Sequence, residues 1–381
     1  MRKLTPLALA LIMSGSAYAA SSDNRATVNQ SGQNLTATVN QVVAANNNNA
    51  NVNQAGTTSS AVVNQSGRNG LATIFQVDAT DNTAQADQTG DQNEANLRQF
   101  SQSTSTVTST QTGNLNNATL SQINGANNTV TSAQTGDNNA TKVDQVNTQD
   151  SNVSVQQLQN DNVANLQQEG NGLSITAIQV GTANTIQGSS SVPQVYQGGQ
   201  LGNSLNARLT QLGNDNLIEF KQMGDASTLN VRQIGGKNSA TSSQEGNGNF
   251  SEFNQRGISN TGTLSQLGDS NRSGIKQIGD NNLATVTQEG NNNRANNNAR
   301  GDNNDAIITQ TGDGNRGVIE SWPGSSFDST GLLVQTGNNN DAHLDQAGNN
   351  HSITVTQTNN NNYTYSLQTG SSNTATVTQG M

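Results

Sequence analysis

Asn282-Leu-Ala-Thr-Val-Thr-Gln-Glu-Gly290 is the stretch that decides the fold. Asn282, Ala284, Val286, Gln288 and Gly290 stand two apart, and the same frame of asparagine, small residue, aliphatic, glutamine and glycine returns along the chain. From Gln211 the glutamine recurs every 11 residues, through Gln222, Gln233, Gln244, Gln255, Gln266 and Gln277 to Gln288. A spacing of two is that of a strand, whose side chains alternate between faces. A helix would show a period near 3.6. One strand-like unit copied at a short fixed period predicts a stack of coils.

Toward the N-terminus the same glutamine is found at Gln30, Gln41, Gln54, Gln65, Gln76, Gln88, Gln99, Gln111, Gln122, Gln134, Gln145 and Gln157. The spacings there mostly alternate between 11 and 12, and Gln88, Gln111 and Gln134 precede Thr-Gly whereas Gln76, Gln99, Gln122 and Gln145 do not. The repeat is therefore a pair of strands, 22 to 23 residues, with two kinds of turn. Toward the C-terminus the frame carries Gln310, Gln335, Gln346, Gln357, Gln368 and Gln379, and asparagine slots include Asn24, Asn249, Asn260, Asn271 and Asn282. Glycine followed by Asn or Asp, as in Gly279-Asp280-Asn281, supplies the positive φ of tight turns. The expectation is an all-β chain, a β-solenoid of about 16 strand-turn-strand coils with amyloid-like cross-β stacking.

Two regions depart from the frame. Residues 180–203 contain Pro193, Gly198 and Gly199, and in 311–335 Ser321 takes a glutamine slot before Trp322-Pro323-Gly324. Both are expected to be coils with loop insertions, the second an exposed loop from Trp322 to Ser329. Ala299 also fills a glutamine slot. Residues between the slots face outward and are polar or charged, as at Arg98, Lys142, Lys221 and Arg232. Inward slots look size-matched across the coil, Leu97 with Ser109 and Leu120 with Ser132.

With 30% hydrophobic and 3% aromatic residues, the chain has no material for a conventional core. Composition by itself would give a disordered polar tract, but such a tract need not keep its residues in phase. At the N-terminus, Arg2 and Lys3, the apolar run Leu4 to Met13 and Ala17-Tyr18-Ala19 read as a secretory signal peptide over residues 1–19, with the repeats spanning 20–381. No later segment is apolar enough for a membrane span. The chain lacks cysteine, and its net charge of −10 disfavours nucleic acid as a partner.

Catalysis is poorly served. Two histidines are present, His343 at an outward position and His351 in an asparagine slot, and no base stands beside a nucleophile. No catalytic, cofactor or metal site is expected. The Gly-Asp turns raise calcium binding, but β-rolls that bind it repeat an Asp-bearing nonapeptide, whereas this period is 11. Outward threonine pairs such as Thr285/Thr287 would suit an ice-binding face, yet the same positions in neighbouring coils hold Arg, Lys, Asp and Glu.

Buried amides are costly unless paired, at about 1–3 kcal/mol each. Stacking identical coils lets every glutamine and asparagine meet its equivalent one coil above and below. The coils at Ala26 and Val28 and at Ala375 and Val377 have no capping repeat beyond them, so they are expected to be polymerising edges.

The Asn-x-Ala-x-Val-x-Gln-x-Gly frame, in paired strands behind a signal peptide and without cysteine, resembles the curlin repeat of bacterial curli. The resemblance covers nearly the whole mature chain. It implies a β-solenoid secreted through an outer-membrane pore with accessory factors and polymerising into extracellular functional amyloid for biofilm matrix and adhesion. Its partners would be copies of itself and a related nucleator or major subunit. The chain has several times the repeats of a familiar curlin and lacks a glycine-rich leader, so either subunit role stays open. The alternative is a monomeric secreted β-solenoid, an adhesin or calcium-binding β-roll.

Overall fold

Each copy of the frame forms one strand, and each strand pairs in parallel with the copy one coil away. In the computed structural model, which describes residues 23–42, 46–188, 199–321 and 328–380, thirty-two strand segments follow one another and no helix occurs among the described residues. Residues 1–19, read above as a signal peptide, Pro193 and Trp322 to Phe327 lie outside the described residues. Contacts divide the chain into one unit ending at Gln156 and another beginning at Gln157.

In the first unit the strand Arg25–Gln33 pairs with Asn49–Thr57 residue for residue, so that Ala26 lies beside Ala50, Val28 beside Val52 and Gln30 beside Gln54. The intervening strand Thr36–Gln41 belongs to the facing sheet and pairs with Ser60–Ser66. This alternation continues, and it explains the 23-residue repeat. Asp78, Ser101, Asn124 and Asn147 adopt left-handed φ of 52°, 48°, 55° and 52°, each an extra residue inside a ten-residue strand. The register steps across this bulge, with Ala55 beside Val77 but Gly56 beside Ala79. One inserted residue per coil thus becomes a corner without disturbing the inward face.

The second unit keeps the same plan with mostly 22-residue coils, as in Gln222 beside Gln244 and Gln266 beside Gln288. One rung is split. Thr185–Gly188 and Gly199–Asn203 both pair with Val163–Asn171 on one side and with Leu217–Asp225 on the other. Because two segments share that rung, the described coils fall slightly short of the 16 expected. Pairing is regular through Arg316–Ser321 and resumes at Thr330–Thr336. Ser329 does not belong to an exposed loop. It is 1% exposed and fills the asparagine slot, its carbonyl accepting from the Asp305 amide at 2.8 Å.

The core is a thin layer between two sheets. Ala50, Val52, Ile74, Leu97 and Val107 in the first unit, and Ile218, Phe220, Phe253 and Leu264 in the second, are at most 1% exposed. The facing pairs differ from the sequence expectation. Gln255 donates to the Asn260 carbonyl at 3.2 Å across the coil, and a Cβ on Gly262 would lie 3.0 Å from the Phe253 ring. Glutamine slots therefore face asparagine slots, and aliphatic slots face the small ones. Leu97 and Ser109 hold the same slot on successive strands and do not oppose each other. The reversal at a turn sets the start of one strand against the end of the next, so four slots pair about their midpoint. Size matching holds on the correct pairs: Gly262 meets Phe253, Gly317 meets Leu333 and Gly331 meets Ile319.

Candidate functional site

The frame brings the glutamines into columns. In the first unit Gln30 donates to Gln54 at 2.8 Å, Gln54 to Gln76 at 2.8 Å, Gln76 to Gln99 at 2.8 Å, Gln99 to Gln122 at 2.9 Å and Gln122 to Gln145 at 2.9 Å. A second column on the facing sheet runs Gln41, Gln65, Gln88, Gln111 and Gln134, with distances of 2.9–3.0 Å. In the second unit one column passes from Gln222 through Gln244, Gln266, Gln288, Gln310, Gln335 and Gln357 to Gln379. The other joins Gln211, Gln233, Gln255 and Gln277.

Each carboxamide spends its second N–H on the opposite sheet. Gln233 reaches the Leu217 carbonyl at 3.0 Å and Gln244 the Thr228 carbonyl at 3.1 Å. One side chain so ties together two coils and both sheets. Burial without penalty follows, because donors and acceptor are all engaged. The serine hydroxyls do worse: Ser109, Ser132 and Ser242 in aliphatic slots and Ser273 in a small slot keep buried Oγ atoms without a partner.

Asparagines form their own columns at the corners. The backbone N–H of Asn238 donates to Oδ1 of Asn216 at 3.1 Å, and its Nδ2 reaches both that oxygen at 3.1 Å and the Gly257 carbonyl at 2.9 Å. Asn282 repeats this on Asn260, Asn271 donates to Asn249 at 2.9 Å, and Asn48 donates to Asn24 at 3.0 Å. The two kinds of column run in opposite senses. Glutamine side chains donate toward the later coil, whereas the asparagine slots donate to Oδ1 of the earlier one.

The turn carboxylates have a related task. Oδ1 of Asp269, Asp280, Asp302 and Asp313 each accepts a backbone N–H from the preceding coil at 2.7–2.8 Å. Asparagine does the same at Asn291 and Asn338. A single acceptor oxygen is what the turn requires, which accounts for Asp and Asn replacing each other there.

Gln168, Gln179 and Gln200 are column residues that the sequence frame did not name. Gln157 donates to Gln179 at 2.9 Å, Gln179 to Gln211 at 3.0 Å, Gln168 to Gln200 at 2.8 Å and Gln200 to Gln222 at 2.9 Å. For Gln168 the signal was present, since Asn162, Ala164, Leu166 and Gly170 complete its frame. Gln200 was hidden because it lies 32 residues beyond Gln168 instead of 22. Conversely, Gln346 and Gln368 stand in register, but Oε1 of Gln368 has no partner. Ala299 and Ser321 open a gap in this column between Gln277 and Gln346.

The terminal rungs differ from the interior. Val28 and Gln30 are half-buried and Ala26 exposed, while their register mates Ala50, Val52 and Gln54 are 0% exposed. Ala375, Val377 and Gln379 are half-buried beside the fully buried Ile353, Val355 and Gln357. Among the described residues, Arg25–Gln33 and Thr374–Gln379 are each paired on one side only.

On the outer face His343 points outward and His351 takes the asparagine slot, 1% exposed, with Nε2 3.2 Å from the Ala347 carbonyl. Lys221 is less free than its outward position implied. Its side chain is 14% exposed and pairs with Glu245 at 2.7 Å. Among the described residues no helix is long and apolar enough to cross a membrane.

Parallel in-register coils bound by amide columns define a repetitive β-solenoid of structural type. The family model of the Curlin associated repeat matches residues 224–257, 257–290, 274–296, 301–326 and 328–358. The stretch from 224 to 358 therefore carries curlin repeats. No curated protein matches it.

Proposed function

We propose that this chain is a structural subunit of curli-like extracellular amyloid fibres, polymerising end to end as the terminal coil of one molecule continues the stack of another. The observation that carries this reading is the half-exposure of Ala375, Val377 and Gln379 beside mates that are wholly buried. A further coil with the same frame would bury them and complete the column. At the other edge Ala26, Val28 and Gln30 offer the matching surface. An unpaired strand edge is a template for another chain.

Curlin repeats support self-assembly as the partner class. The finer reading follows from the family: export directed by residues 1–19, passage through an outer-membrane pore with accessory factors, a related nucleator or major subunit, and a role in biofilm matrix and adhesion. The protein is then a building material and not an enzyme, its buried polar groups engaged in holding coils together. The test is dilution of the denatured mature chain into buffer with and without calcium. A lag followed by thioflavin-positive fibres, with or without the ion, is expected. A soluble monomer that folds only with calcium would overturn the reading.

A further inference from the structure

The strands Arg316–Ser321 and Asp341–Asn349 are in-register neighbours, with Val318 beside His343 and Glu320 beside Asp345. Outward-facing ligand atoms of Glu320, His343 and Asp345 all lie within 4.8 Å of one another. Nε2 of His343 is 2.9 Å from Oδ1 of Asp345, yet both atoms are buried and neither has a hydrogen-bond partner of acceptable geometry. Asp345 is 6% exposed, although it stands on the outer face. Its other oxygen, Oδ2, accepts from the Tyr365 hydroxyl at 2.9 Å. The carboxylate holds that phenol above its ordinary pKa, first through the hydrogen bond and then through its charge.

A buried carboxylate oxygen and a buried ring nitrogen that both lack a hydrogen-bond partner are destabilising. A cation bound to both atoms from the solvent side removes that penalty. With metal–ligand bonds of about 2.1 Å, two ligand atoms of a tetrahedral ion are about 3.4 Å apart, so the pair at 2.9 Å has to open by about half an ångström to hold one ion, a movement within reach of side-chain rotation. Carboxylates alone would suit calcium or magnesium, but the imidazole nitrogen shifts preference to a transition metal such as zinc.

We propose that Glu320, His343 and Asp345 form a site for one divalent transition-metal ion of the zinc class, clipping two successive coils together from outside. Its position gives it a purpose. Ala299 and Ser321 occupy glutamine slots, so the amide column that would join these coils from within is interrupted there. The ion supplies a bond between coils where the column supplies none.

The test uses the full mature chain in metal-free buffer, titrated with Zn2+ calorimetrically and with Co2+ by visible absorption, with bound metal per chain counted after dialysis. One equivalent is expected. His343→Ala and Glu320→Gln should each weaken binding tenfold or more, while His351→Asn, which restores the commoner residue in its slot, should leave it unchanged. Circular dichroism confirms that each variant keeps its strands. Should His343→Ala not fold, Glu320→Gln decides alone. No stoichiometric binding by the natural chain, or undiminished binding by the folded Glu320→Gln variant, would overturn the proposal.

Discussion

Nε2 of Gln244 donates to Oε1 of Gln266 in the next coil at 3.0 Å and to the Thr228 carbonyl on the opposite sheet at 3.1 Å. Neither glutamine is more than 1% exposed. Truncating either one strands the amides above and below it.

Replacing Gln244 and Gln266 by Ala should therefore destabilise the coil stack by about 1–3 kcal/mol for each buried group left unpaired. Arg232, exposed on the outer face, should tolerate Ala with almost no loss. Lys221→Ala should fall between them, because its ion pair with Glu245 is half-sheltered. Denaturant unfolding of the three variants checks the order. Equal losses at Arg232 and at the glutamines would contradict the division of the strand into two faces.

The interrupted column offers the converse experiment. Ala299→Gln gives Gln277 a new acceptor, whereas Ala299→Gln with Ser321→Gln completes the run from Gln277 to Gln346. Each amide bond is worth about 0.5–1.5 kcal/mol. The pair should stabilise by more than its two single changes added together, since one of its bonds exists only in the double variant. Thermal melts of the four proteins measure this coupling. Strict additivity would show that the new side chains do not meet.

The inward face and the number of strands were legible because they rest on a period, and a period survives substitutions such as Ala299. What escaped the sequence has two physical causes. The first is insertion: Gln200 sits at the right height in the stack, but 32 residues separate it from Gln168, and a fixed interval cannot find it. The second is facing geometry. Periodicity says that Leu97 and Ser109 are both inward, but only the curvature of the turns says that a small slot meets an aliphatic one. His343 and Asp345 fell outside both rules, since an outward position in a repeat is by default a solvated one.

Gly268 lies at φ 113°, and a Cβ there would strike the carbonyl oxygen of Gly290 in the next coil. Gly268→Ala should cost roughly 1–3 kcal/mol of backbone strain before any clash is counted. A Thr→Ala change at outward Thr285 should be nearly neutral by comparison. Parallel urea titrations give the difference, and a midpoint for Gly268→Ala equal to that of the parent would show that the corner can relax.

Elongation should depend on donors at the Thr374–Gln379 edge. The Ser352 N–H donates to the Asn373 carbonyl at 2.9 Å, so in this parallel ladder the in-register residues Thr374, Thr376 and Thr378 aim their N–H groups away from the coil already present. Thr376→Pro with Thr378→Pro removes two of those donors while sparing the bonds to the preceding strand. Growth from preformed seeds should drop at least tenfold, with interior coils retaining their circular dichroism. Wild-type growth rates would remove this edge from the mechanism.

The opposed directions of the glutamine and asparagine columns have a bearing on inhibition. A fibre built from such coils would show glutamine carbonyls and asparagine donors at one tip, and glutamine donors and asparagine carbonyls at the other. The tips would be chemical opposites, as different as the two ends of a microtubule. A short peptide carrying a single coil, with proline on one flank only, would then act as a stopper for one tip and slide off the other, and swapping the flank would reverse which tip it silences.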